Sequence, residues 1–181
     1  LTLWRLLYVR PRGEMQYQAQ MAERRLESYV PMETVWIGEK EKRKPSPRPL
    51  LPGYVFINVT DYELADAIRL PGVLYMIRTG DRPAEVSGFV ASLMEDERRG
   101  AFDRTRRERR EIKRKGKPLS PGERFTVING SFKGMTGVVI GRAGKHSAYV
   151  DLEMFGRVCR LEADYTDLKV ILADDVAQKA A

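Results

Sequence analysis

The sequence predicts two small domains of different class, an α+β domain on a four-stranded antiparallel sheet and a small all-β barrel, joined by a basic linker. Three observations carry this. Residues 1–97 run β-α-β-β-α-β-α, the split βαβ (ferredoxin-like) pattern with one extra helix. Residues 98–118 hold few apolar side chains and cannot support a core. Residues 119–172 contain five short β-rich runs between glycine-bearing turns, and closing such a sheet removes its exposed edges.

In order along the chain, Trp4 to Arg10 is rich in apolar and aromatic residues and reads as a buried strand, stopped by Pro11-Arg12-Gly13. Residues 14–28 place Met15, Ala19, Ala22 and Leu26 at helical spacing, which predicts an amphipathic helix on that face. Val30 to Ile37 is a second strand. Residues 38–49, charged and broken by Pro45, Pro47 and Pro49, read as a mobile loop. Tyr54 to Val59 is a third strand, Asp61 caps a short helix through Arg69, and Val73 to Arg78 is a fourth strand. A last helix is expected from Ser87 to Glu97. In the second domain the strands are Arg124–Ile128, Thr136–Gly141, Ala148–Leu152, Arg157–Glu162 and Leu168–Leu172, and residues 173–181 read as a frayed tail.

The net charge of +7 is unevenly placed. Residues 1–97 carry 13 basic and 14 acidic side chains, whereas 98–118 carry 11 and 3. The excess therefore sits in one segment, open to two readings: a solvated linker helix, or a contact with phosphates through residues such as Arg106, Arg107 and Arg110. No apolar run approaches the roughly 18–20 residues of a membrane span. The first residues lack a secretory-signal pattern, and a single cysteine, Cys159, has no internal partner. A cytoplasmic monomer without a membrane partner is expected.

Catalysis is not expected. His146, the one histidine, lies in a Gly144-Lys145-His146-Ser147 turn, and Cys159 sits mid-strand as a small core residue. No phosphate-binding glycine loop and no Cys/His set with metal spacing is present, so no cofactor and no metal are expected.

Two motifs carry a family resemblance. Gly122-Glu123-Arg124-Phe125-Thr126-Val127 is followed by Gly130-Ser131-Phe132-Lys133-Gly134-Met135-Thr136-Gly137-Val138-Val139. This resembles the KOW motif of NusG-type factors and some ribosomal proteins, and Phe155-Gly156-Arg157 strengthens the match. Pro49-Leu50-Leu51-Pro52-Gly53-Tyr54-Val55-Phe56 resembles the hallmark of the NusG N-terminal domain, with Trp4-Arg5-Leu6-Leu7-Tyr8, Pro31-Met32, Pro71-Gly72-Val73 and Gly80-Asp81-Arg82-Pro83-Ala84 in matching order. Trp4-Arg5-Leu6-Leu7-Tyr8 and Pro31-Met32 are also similar to the RfaH branch of the family. The helix Asp61–Arg69 lacks that branch's His-Thr-Thr patch, and the β-branched content of 124–172 favours a barrel over a helical alternative.

The resemblance implies a non-catalytic transcription elongation and antitermination factor. Its N-terminal domain would dock an apolar concavity on the clamp helices of RNA polymerase through Tyr8, Leu51, Pro52, Tyr54 and Phe56, with Trp4 beside them. By strand alternation Val55 and Ile57 are expected in the core and Tyr54 and Phe56 at the partner. Arg10 and Arg12 would approach upstream and non-template DNA, or remain solvated. Phe132, Met135 and Phe155 would form the barrel's surface for a small-subunit ribosomal protein or Rho, although Phe132 could instead cover the barrel end. A competing reading is a KOW-type RNA-binding structural or ribosome-associated protein. The near-neutral charge of 119–172 argues against it.

Overall fold

The computed structural model describes residues 1–39, 42–105 and 117–171. The chain divides into two compact units, Leu1–Thr105 and Arg106–Ala181. In the first, β1 (Leu3–Val9), α1 (Glu14–Glu23), β2 (Glu27–Tyr29), β3 (Met32–Ile37), β4 (Lys44–Pro49), β5 (Tyr54–Val59), α2 (Asp61–Ala67), β6 (Val73–Met76), β7 (Arg78–Thr79), β8 (Arg82–Pro83) and α3 (Ser87–Arg98) follow in order. The main sheet is antiparallel with the order β2-β5-β1-β6, so the two most apolar strands lie at its centre.

One sheet face presents Leu7, Val9, Val55, Ile57 and Val59 to Tyr17 and Met21 of α1 and to Leu64 and Ala67 of α2, forming the main core. The buried side of α1 is Glu14, Tyr17 and Met21, not the expected Met15, Ala19, Ala22 and Leu26, of which only Leu26 is even half-buried. The helix also stops at Glu23, because Arg25 takes a left-handed φ of 57° and the chain turns into β2. The cap of α2 is Thr60 rather than Asp61. Its hydroxyl accepts from the Glu63 N–H, and the Glu63 carboxylate accepts from the Thr60 N–H, a closed capping box.

Residues 44–49 are not a loop. They form β4, which pairs with β3 in a hairpin separate from the main sheet. Thr34 spends its N–H and C=O on the opposite edge of β3, bonding Phe102 and Arg104. Thr34 and Pro47 are therefore a pair without mutual hydrogen bonds, and Trp36–Pro45 and Met32–Pro49 share that parity. All three missing N–H groups fall on the outer edge, where a sheet tolerates proline. The first unit also runs past the expected boundary at residue 97, since Phe102 is buried and Asp103 bridges to Thr34.

The second unit contains β9 (Arg124–Val127), β10 (Thr136–Arg142), β11 (Ser147–Met154), β12 (Arg157–Asp164), a 3-10 turn at Tyr165–Asp167 and β13 (Leu168–Val170). The five strands form one antiparallel sheet in the order β12-β11-β10-β9-β13. Its edges are consecutive in the chain. Flat, they would lie about 19 Å apart, yet the four residue steps from Asp164 to Leu168 reach at most about 14 Å. The Tyr165 N–H of the 3-10 turn also donates to the His146 carbonyl at one corner, and its Asp167 carbonyl accepts from Ile128 N–H at the other. The sheet must therefore curl around its core of Phe125, Val127, Val139, Val150, Leu152 and Leu161. At Gly137 a Cβ would run into the Asp151 carbonyl oxygen and the Phe125 ring, so the closest strand crossing there requires glycine.

Candidate functional site

The second face of the main sheet is aromatic. The register sets Tyr8 opposite both Tyr54 and Tyr75, and Tyr29 opposite Phe56, so these side chains share a face with Trp4 and Leu6. Tyr8 meets Tyr54 edge-on with ring centroids 5.3 Å apart and stacks on Tyr75 at 5.2 Å. Phe56 lies 6.1 Å from Tyr29 and 5.9 Å from Phe89 of α3. Helices thus stand on both faces, α1 and α2 on one and α3 on the other. The Tyr29 hydroxyl donates to the Glu97 carboxylate at 2.5 Å, pinning the end of α3. Burial, and then the adjacent Glu97, hold that phenol protonated far above its usual range.

This arrangement corrects the expected docking set. Tyr54 is only 2% exposed, and Phe56 and Leu51 are 0% exposed, so all three belong to the interior as fully as Val55 and Ile57 do. Phe56 lies on a central strand and packs on Phe89 of α3, Tyr54 meets the Tyr8 ring edge-on, and Leu51 is buried just before β5. Trp4 is half-buried, Tyr8 is half-buried and Pro52 is exposed. The open end of the aromatic face is completed by a residue that the sequence reading passed over, Tyr75 at 40% exposure, whereas Leu74, at 52%, is the extra residue where the β1–β6 register shifts. The signal was present: Val73-Leu74-Tyr75-Met76 is uniformly apolar, yet among the described residues it forms an edge strand of the main sheet. Arg10 and Arg12 are exposed at the same end, with the Arg10 N–H donating to the Gly72 carbonyl.

The Pro52-Gly53 turn holds this end in shape. Gly53 has a φ of 84°, and a Cβ there would lie 2.5 Å from the Tyr8 ring. Its N–H donates to Oε1 of the buried Glu14 at 2.5 Å, and its carbonyl accepts from Val9 N–H. A buried carboxylate on α1 thus satisfies a turn donor that no strand could reach.

In the second unit the register brings the β9–β10 loop and the β11–β12 turn to one end, because Thr136 begins β10 where β11 ends. Phe132, Met135 and Phe155 therefore gather at that end, all half-buried. Phe155 and Gly156 have φ of 50° and 74°, the signature of a two-residue type I′ hairpin, which fixes how Phe155 is presented. Cys159 is buried, and that burial pushes its thiol up to about 11. The expected basic contacts Arg106, Arg107 and Arg110 lie outside the described residues, as does the tail 173–181.

No helix among the described residues is long and apolar enough to cross a membrane. No curated protein matches the chain. A solved structure on domain interaction in Thermotoga maritima NusG aligns over 95% of this chain and 98% of its own, with a TM-score of 0.60 and 15% identity, a likeness of fold. Two conformations, A and B, of an MjSpt4:Spt5 complex align over 93% of this chain and 97% and 96% of theirs, at 14% and 16% identity. Their TM-scores are only 0.27 and 0.28. The family model described as transcription termination factor nusG matches residues 2–95, more than half of the chain and the whole of its aromatic sheet, so the chain belongs to the NusG family of transcription factors.

Proposed function

We propose that this factor is a non-catalytic adaptor that binds the clamp of RNA polymerase through its first unit, promotes processive, antiterminating elongation, and recruits a second protein through the KOW-like barrel. The observation that supports the docking surface is the uncovered end of the aromatic face, where the stacked Tyr8 and Tyr75 rings lie beside the turn that carries the exposed Pro52. Tyr54, Phe56 and Leu51 act beneath it as a rigid floor. A pre-packed aromatic surface suits a helical partner, since its rings lose little conformational freedom on binding. Arg10 and Arg12 flank that surface and suit the phosphates of upstream or non-template DNA. Phe132, Met135 and Phe155 form the barrel's contact, for a ribosomal small-subunit protein or for Rho.

Co-sedimentation of the full chain with core RNA polymerase tests this reading. Tyr75→Ala should weaken the complex at least tenfold while the far-ultraviolet circular dichroism is unchanged. Unaltered binding, or a full chain that binds structured RNA in preference to polymerase, would favour the RNA-binding reading instead.

A further inference from the structure

Glu33 is a carboxylate in a place where few are found. It is 5% exposed, on β3, and it joins two different segments. Across the hairpin its Oε1 accepts from Arg48 Nε at 2.7 Å, and Arg48 is its direct partner in the register. On the other side its Oε2 lies 3.6 Å from Nε of Arg104, whose side chain is almost as deeply covered. Arg104 belongs to the stretch that follows α3. That stretch is strand-like where it meets β3: Thr34 N–H donates to the Phe102 carbonyl at 3.1 Å, Arg104 N–H donates to the Thr34 carbonyl at 2.8 Å, and Phe102 is buried beside them. The hairpin's two strands and this exit segment thus form three ribbons with Glu33 on the middle one.

We infer that Glu33 is a positioning residue that latches the segment leading out of the first unit onto the β3–β4 hairpin. Two backbone hydrogen bonds on a short, single-bridge contact hold such a segment weakly, because an isolated ribbon is marginal in water. A covered carboxylate between two guanidinium groups changes this, since releasing the segment strips the carboxylate of one of its two cations while Arg48 alone remains. The hairpin and the chain's exit therefore move as one body. The chain leaves the first unit beside β3, not from the end of α3.

Amide hydrogen exchange on the full chain tests the latch, with Arg104→Met and, as an independent variant, Glu33→Gln. Exchange at positions 34 and 104 should rise about tenfold or more in both, while the amides of β5 keep the parent rate. Arg104→Lys, which preserves the charge, should stay within about threefold of the parent. Unchanged protection at 34 and 104 in both variants would overturn the inference. So would a rise of equal size in β5, which would make Glu33 a general stability residue, or exchange in Arg104→Lys as fast as in Arg104→Met, which would remove the role of charge.

Discussion

Replacing Gly53 with alanine should unfold the first unit at a much lower temperature and leave the second unit alone. Two costs add. The left-handed backbone, with φ at 84°, disfavours any L side chain by about 1–2 kcal/mol. The new methyl would sit 2.5 Å from one carbon of the Tyr8 ring and 2.9 Å from the next, so the ring or the turn must give way. Forcing an extra methyl into a packed site costs about 1–3 kcal/mol. A total of about 2–5 kcal/mol in a unit of this size corresponds to a midpoint lower by on the order of 10–25 °C. Both tryptophans, Trp4 and Trp36, lie in the first unit, so their emission reports that transition selectively. Tyr8→Ala made in the Gly53→Ala background should relieve the steric part. The double variant would then be more stable than the sum of the single effects implies. A Gly53→Ala midpoint within about 2 °C of the parent, or additive single effects, would refute both the strain and its assignment to Tyr8.

Further outcomes concern the α2 cap, Glu63 and Cys159. Thr60→Ala opens the capping box and should cost the first unit about 1 kcal/mol by urea denaturation; no change in midpoint would mean the box is idle. Since Glu63 is held below the usual carboxylate range by its bonds to Thr60, its contribution is present above that range and should vanish as pH falls through the lowered value. Cys159, with its thiol pushed up to about 11, should resist an aromatic disulfide reagent at pH 8 in the native chain and react fully in denaturant. Fast native labelling would contradict its burial. Because a raised thiol favours the folded state only while protonated, that contribution is complete below the ordinary thiol range and declines as pH approaches 11.

Much of the fold was legible because local signals agreed with the tertiary result. Tyr54–Val59 was read to the residue, and each barrel strand began within one residue of its expected start. The misreadings have physical causes. The faces of α1 were exchanged because a buried charge, Glu14, occupies a core position in order to satisfy Gly53, which breaks the apolar periodicity. The β3–β4 hairpin was missed because prolines usually mark loops; their even spacing, which places every lost donor on one edge, was the unused clue. The burial of Tyr54 and Phe56 could also have been found. Tyr54-Val55-Phe56-Ile57 is an unbroken apolar run, whereas a strand with one face at solvent alternates. Alternation correctly separated the two faces but not their burial, because the position of α3 depends on contacts distant in sequence, such as Tyr29 with Glu97.

The proposed docking assigns polymerase contact to the open end of the aromatic face, not to exposed apolar side chains in general. Site-specific photo-crosslinking to core RNA polymerase addresses it directly, with a benzophenone side chain placed at Tyr75 and, separately, at Tyr62. Tyr62 is the more exposed of the two, at 82%, but it belongs to α2, the helix layer across the sheet. An efficient crosslink is expected from position 75 to the clamp and none from position 62. A crosslink from 62 alone would put the polymerase on the opposite face and contradict it.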